Sequence, residues 1–350
     1  MRHIIICLAV FLVSVSTWSQ TRERLDAALI DAVQDYNNEA FDVACGKLLA
    51  IVSADSTYDA AYYYLSMCAY YLEDAVSASR YIRKAVALDP DNKWYSQLLD
   101  FLRIPALLDE ADKCRQARDL NGFFEKMTIF ASDTDVRTEP KCKYIISALG
   151  SFDSRVYNAY RSQIEGMITA LTASDPRNTE THNLAMQVYM LYEDYEKVIN
   201  ECETLVQLHE SEPDAAVSYI SIIGDSYHET GNRKEAYRAY KRALKMVPDY
   251  APVLNNFAYF LSLEGRMLRK ALKMSAVCIE KEPDNATYLD TYGWILHLLG
   301  RDAEAKPYFK HAMLYGGKDS SVVLEHYSII LDKLGEKDLS AYYKTLSEKK

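Results

Sequence analysis

The sequence predicts an all-α protein made of antiparallel helix pairs stacked in series. Two observations carry that prediction. A pattern of large and small apolar residues recurs at a spacing of two helices and a turn, and no segment reads as a strand. The clearest copy runs from Val217 to Pro248. Ile220, Ile223, Gly224 and Tyr227 lie on its first helix, Gly231 marks a turn, and Ala236, Tyr240 and Ala243 lie on its second helix. Residues at i, i+3 and i+7 form one apolar face, and the small Gly224 and Ala236 let the two helices approach closely. Pro248 cannot continue the helix and re-aims the chain into the next unit.

The other units follow in order. Ala44, Leu48 and Ile51 open the series weakly; Tyr62, Leu65, Ser66, Ala78, Ile82, Ala85 and Pro90 then give a good copy. Tyr189, Val198, Cys202 and Leu205 give a weak one, followed by the Val217–Pro248 unit. Ala271, Ser275, Cys278 and Pro283 fit a second helix whose turn holds one extra residue. Leu289, Tyr292, Gly293, Leu296, Gly300, Ala305, Phe309 and Ala312 give another good copy, and Tyr327, Leu331 and Gly335 a closing one. These residue types and spacings resemble the tetratricopeptide repeat (TPR) unit. The resemblance implies a TPR α-solenoid, a right-handed superhelix of about seven to nine helix pairs.

Four segments follow. Residues 1–19 read as a signal peptide: Arg2 precedes an apolar run from Ile4 to Val15, and Thr17-Trp18-Ser19 supplies small residues before Gln20. That run is shorter than the roughly 20 residues a membrane span needs. Residues 20–105 and 176–350 carry N-terminal and C-terminal repeats, the latter with a capping helix. Residues 106–175 read as degenerate helix pairs, with Leu107, Leu108 and Ala111 starting one helix and Pro105, Pro140 and Pro176 as punctuation. A continuous stack and a hinge between two arrays both fit this stretch, and no Gly/Ser-rich linker marks independent domains. Inside the last good copy, Pro307 predicts a kink or a late helix start.

Composition narrows the partners. The chain carries a formal net charge of −10, and no Lys/Arg-rich run stands out apart from the terminal Lys349-Lys350. It is repelled by nucleic acid and by anionic lipid, so the expected partner is a protein or peptide. No stretch after the signal peptide has the length and apolarity of a membrane span, so no direct insertion is expected after cleavage. Oligomeric state is not legible. Cys45, Cys68, Cys114, Cys142, Cys202 and Cys278 are scattered without metal-type spacing and read mainly as small buried hydrophobes. Cys45 and Cys68, on consecutive helices, form the pair to check for a disulfide. No GxSxG, HExxH or phosphate loop occurs; no catalytic residue, metal or cofactor is expected.

Two groups of residues stand out as binding candidates. Tyr63, Met67, Tyr70 and Tyr71 form a second apolar stripe on a helix whose core positions are already filled. Packing on neighbouring first helices and lining a binding groove both fit it. The second group is Asn255, Asn256, Tyr259, Asp290, Trp294 and His297. There the Asn side chains would hydrogen-bond an extended peptide, and inter-repeat packing is the other reading. The blocks Asn255-Asn256-Phe257-Ala258-Tyr259, Glu282-Pro283-Asp284-Asn285, Leu289-Asp290-Thr291-Tyr292-Gly293-Trp294 and Leu324-Glu325-His326-Tyr327 resemble a stretch of secreted bacterial TPR proteins. That resemblance implies a periplasmic or envelope-associated scaffold, with an assembly chaperone for extended clients as the rival role. The inward basic groups of a TPR carboxylate clamp are missing: Ser221, Asp225 and His228 occupy those places in one repeat.

Overall fold

The computed structural model describes residues 22–350, so the expected signal peptide and Cys7 lie outside the described residues. Among those described there is no strand. The first helices are α1 (22–37), α2 (Phe41–Ala54), α3 (Asp59–Tyr71), α4 (Ala75–Leu88), α5 (Lys93–Gln116) and α6 (Leu120–Ser132). Then come α7 (Thr138–Gly150), the short α8 (Ser154–Ala159), α9 (Arg161–Ser174), α10 (Thr179–Leu191), α11 (Tyr195–Leu208), α12 (Pro213–Glu229) and α13 (Arg233–Met246). The remainder are α14 (Ala251–Leu263), α15 (Leu268–Lys281), α16 (Ala286–Leu298), α17 (Asp302–Ala312), α18 (Ser321–Lys333) and α19 (Lys337–Ser347). The chain forms two compact units, one ending at Leu184 and the other running Ala185–Lys350.

Eight helix pairs close through the same device. Glu39, Glu73, Arg118, Glu193, Gly231, Gly265, Gly300 and Gly335 each take a positive φ just after a first helix. The next residue's N–H then reaches back five residues. Asp74 donates to the Ala69 carbonyl at 2.9 Å, Asn232 to Tyr227 at 2.8 Å and Glu336 to Leu331 at 2.9 Å. This left-handed stop satisfies carbonyls that the helix end would otherwise leave bare. In several turns the same residue then caps the second helix: the Asp74 side chain accepts from Ser77 N–H and that of Asp119 from Gly122 N–H, both at 3.0 Å. The stretch from α7 to α9 lacks this turn and carries α8 instead. It is the segment whose sequence pattern is degenerate.

Within a pair, the helices meet at the predicted small residue. A Cβ on Gly224 would sit 2.3 Å from a Tyr240 ring carbon, and one on Gly293 would sit 2.6 Å from the Phe309 ring. Tyr240 and Phe309 are fully buried there. In the α3–α4 pair Ser66 takes the place and donates to the Ala78 carbonyl at 2.8 Å.

The break expected at Pro105 and the late start expected, as the alternative to a kink, at Pro307 are both corrected. The boundary at 105/106 falls inside α5, which continues through Pro105; Leu107, Leu108 and Ala111 extend a helix rather than start one. Pro105 faces solvent, where water can serve the carbonyl its missing N–H leaves open. Nor does α17 start late, because it begins at Asp302 and carries Pro307 in its interior. The four cysteines Cys68, Cys142, Cys202 and Cys278 are buried and free, and burial pushes each thiol up to about 12. Cys45 and Cys68 are also both free thiols, in hydrogen-bonding contact with each other.

Two substitutions test this architecture in opposite directions. Gly224→Ala drives a methyl into Tyr240 and should lower stability by about 1–3 kcal/mol in urea unfolding. Glu73→Gly relieves a left-handed non-glycine residue and should raise stability by about 0.5 kcal/mol, the relief exceeding the added chain entropy.

Candidate functional site

The first candidate stripe becomes half of a groove. Tyr63, Met67, Tyr70 and Tyr71 of α3 face Trp94, Gln97, Leu98 and Phe101 of α5 across a cavity of about 440 Å³. The two readings of the stripe divide along the helix. Tyr63 and Met67 are half-buried against the cluster of Ile82, Tyr95, Leu98 and Leu99, where the Tyr63 and Tyr95 ring centroids are 5.3 Å apart. Tyr70 and Tyr71 stay open, at 40% and 50% exposure. Tyr71 is braced from behind by a stacked contact with Phe41 at 4.7 Å, and Tyr70 meets Phe101 edge-on at 5.5 Å.

Trp94 and Phe101 were not among the residues singled out from the sequence. They are 71% and 56% exposed. Their spacing of seven residues places them on one face of α5, while Tyr95, Leu98 and Leu99 do the core packing. Tyr95 is anchored by donating its hydroxyl to Asp59 at 2.7 Å. Tyr95, Leu98 and Leu99 thus form a packed floor, and the groove lining carries no charged side chain. Beyond Gln97 and Phe101 the same face continues onto α7 as a second cleft of about 330 Å³, where Arg137, Glu139 and Lys143 make the lining polar.

The second candidate group is not brought together as an open site. Asn255 and Asp290 are 3% and 5% exposed, so the expected contacts to a peptide are corrected for both. Asn256 donates to both oxygens of Asp225, at 3.0 and 3.1 Å, and the Tyr240 hydroxyl donates to the same carboxylate at 2.6 Å. Asp290 lies 2.9 Å from His326 Nδ1, and the Trp294 ring stacks on His326 with centroids 3.9 Å apart. His297 pairs with Asp302. Tyr259 is half-buried, and burial raises its phenol above the ordinary value. Most of these groups tie one helix to the next.

First helix, left-handed turn and second helix, repeated with small residues at each crossing, define a helical-repeat protein. The tetratricopeptide repeat family model matches residues 169–346, just over half of the chain, and the chain belongs to that family. The aromatic groove lies upstream of the matched residues. No curated protein matches the chain. Among solved structures, a tetratricopeptide repeat protein from Parabacteroides merdae is 13% identical, with 81% of this chain and 90% of that one covered and a TM-score of 0.42. One MamA structure is 16% identical, covering 49% of this chain and 95% of that one, with a TM-score of 0.37. YrrB, described as a TPR protein with an unusual peptide-binding site, is 17% identical over 49% of this chain and 86% of its own, at a TM-score of 0.36.

The Asp225 network gives a pH test. Burial raises this carboxyl above its ordinary 3.8, against the hydrogen bonds from Tyr240 and Asn256, which lower it. The folded chain therefore takes up a proton at higher pH than the unfolded chain does. As pH falls through that window towards 3.8, wild type should gain stability relative to Asp225→Asn, read as a narrowing or reversal of the gap in urea midpoints. A gap that stays constant with pH removes Asp225 as the titrating group.

Proposed function

We propose that this protein is a non-catalytic scaffold that seats an apolar, uncharged stretch of a partner protein in the α3–α5 groove. The observation that carries the reading is the open aromatic lining, with Trp94 and Phe101 on α5 facing Tyr70 and Tyr71 on α3. Aromatic rings held by packing lose little freedom on binding and present large apolar area, the composition of interface hot spots. The adjoining polar cleft at Arg137, Glu139 and Lys143 offers charge partners for the flanking residues of such a segment. In favour of a non-catalytic role, the buried imidazole–carboxylate pair of His326 and Asp290 lies beneath Trp294. Among the described residues no group of three metal-ligating side chains occurs, and no helix is long and apolar enough to cross a membrane.

The compartment belongs to the same proposal. The Arg2 start, the apolar run and Thr17-Trp18-Ser19 support export to the cell envelope with a mature chain beginning near Gln20. Amino-terminal sequencing of the protein recovered from an envelope fraction should read from about that residue; an intact Met1 in the cytoplasm overturns it.

The groove is tested by crosslinking and affinity capture from envelopes with wild type and with Trp94→Ala/Phe101→Ala. Both side chains are exposed, so helicity should be unchanged. One stoichiometric partner should be captured by wild type, and its affinity for the double variant should fall by about 2–4 kcal/mol. Equal capture by both proteins excludes the groove, and recovery of many unrelated unfolded chains identifies a client-holding chaperone instead.

A further inference from the structure

The second helix of the α3–α4 pair carries an outer surface apart from the groove, on which Tyr62 and Tyr81 show one edge while packing against the core on the other. Helix α4 buries Ala78, Ile82 and Ala85. Its opposite face, with Tyr62 of α3, lines a shallow depression of about 890 Å³. The floor is apolar: Val76 is 81% exposed, and the half-buried rings of Tyr62 and Tyr81 lie 6.4 Å apart. The rim is basic. Arg80, Arg83 and Lys84 line the depression and no acid does. Arg83 pairs with Asp135 at 3.0 Å, and Arg80 sits 4.8 Å from the Tyr81 ring centroid. Neither Arg80 nor Lys84 has a carboxylate in ion-pair range among the described residues. Asp74 caps the start of the helix, with its oxygen committed to the Ser77 N–H.

A solvated helix face accounts for the three cations, and core packing for part of the Tyr62 and Tyr81 rings, but neither accounts for the open Val76 beside them. Exposed apolar surface rimmed by one sign of charge, on a chain of net charge −10, is the complement of a segment that is both apolar and acidic. From Ala75 to Ala87 the face is about 18 Å long, enough for a partner helix of some three turns. We propose that the outer face of α4 is a second docking surface, and that its occupant is an acidic amphipathic helix of a partner protein. The proposal stands apart from the α3–α5 groove, whose lining is uncharged.

The test is fluorescence anisotropy of the mature chain with a labelled amphipathic peptide of leucine and glutamate. Binding is expected, weakening with added salt and falling roughly tenfold or more in Arg80→Glu/Lys84→Glu. Arg80→Lys/Lys84→Arg should retain it, as should Trp94→Ala/Phe101→Ala. Peptides with lysine replacing glutamate, or serine replacing leucine, should bind far more weakly. Undiminished binding to the charge-reversed chain, or equal binding of the lysine peptide, overturns the proposal. Loss in the Trp94/Phe101 variant moves the peptide to the groove and does the same. If sedimentation shows self-association of the free protein that Arg80→Glu/Lys84→Glu abolishes, the occupant is a second copy and the partner assignment fails.

Discussion

In the closest helix pairs a ring on one helix lies against the bare backbone of the other. Gly224 against Tyr240 and Gly293 against Phe309 show the constraint at its tightest, because neither contact leaves room for a single methyl. Everything else follows from that approach. It sets which residues of the second helix are interior, so that α13 buries only Ala236, Ala239, Tyr240 and Ala243. It also fixes where the first helix must stop, since a turn out of register would present the wrong face. The left-handed residue and the hydrogen bond that reaches back five residues beside it supply that stop.

Much of this was legible in the sequence because it is local. Gly224, Ala236, Tyr240 and Pro248 fall within one unit, and their spacing states the pair geometry directly. The prolines misled because a rule about helix interiors ignores where the ring points. Pro105 lies on the solvent side of a long helix, so its lost hydrogen bond does not break α5. Half of the candidate groove was legible in α3, where four large residues exceeded what a core needs. The other half was hidden: Trp94 and Phe101 lie in a helix with no clear repeat pattern, and only the packing of α3 on α5 shows that they face Tyr70 and Tyr71.

In the second candidate group the packing reading fits the buried Asn255 and Asp290, for a different physical reason. Asn255, Asn256 and Asp290 are polar residues on first helices, where polarity alone does not separate a groove-lining residue from a buried one. Their partners lie far along the chain: Asp225 is 31 positions from Asn256, and His326 is 36 from Asp290. A buried polar group is tolerated when another element completes its hydrogen bonding. Single-sequence periodicity cannot show such pairings. The cost is specific to this fold, in which each polar link joins one repeat to the next.

The identity of the turn residues has a bearing on how the chain opens. From Gly231 onward every closing turn uses glycine, whereas Glu39, Glu73, Arg118 and Glu193 hold the same conformation with a side chain attached. A non-glycine residue there stores roughly 1 kcal/mol of backbone strain. In a protein whose pairs hold mainly to their neighbours, such differences are felt locally rather than averaged over the whole chain. The early pairs, including the one that bears both α3 and α4, therefore carry this strain, as does the α14–α15 turn, where Met267 follows Gly265 in the left-handed region. Two of these turns, at Glu73 and Arg118, adjoin the helices α3, α4 and α5 that line both proposed docking surfaces.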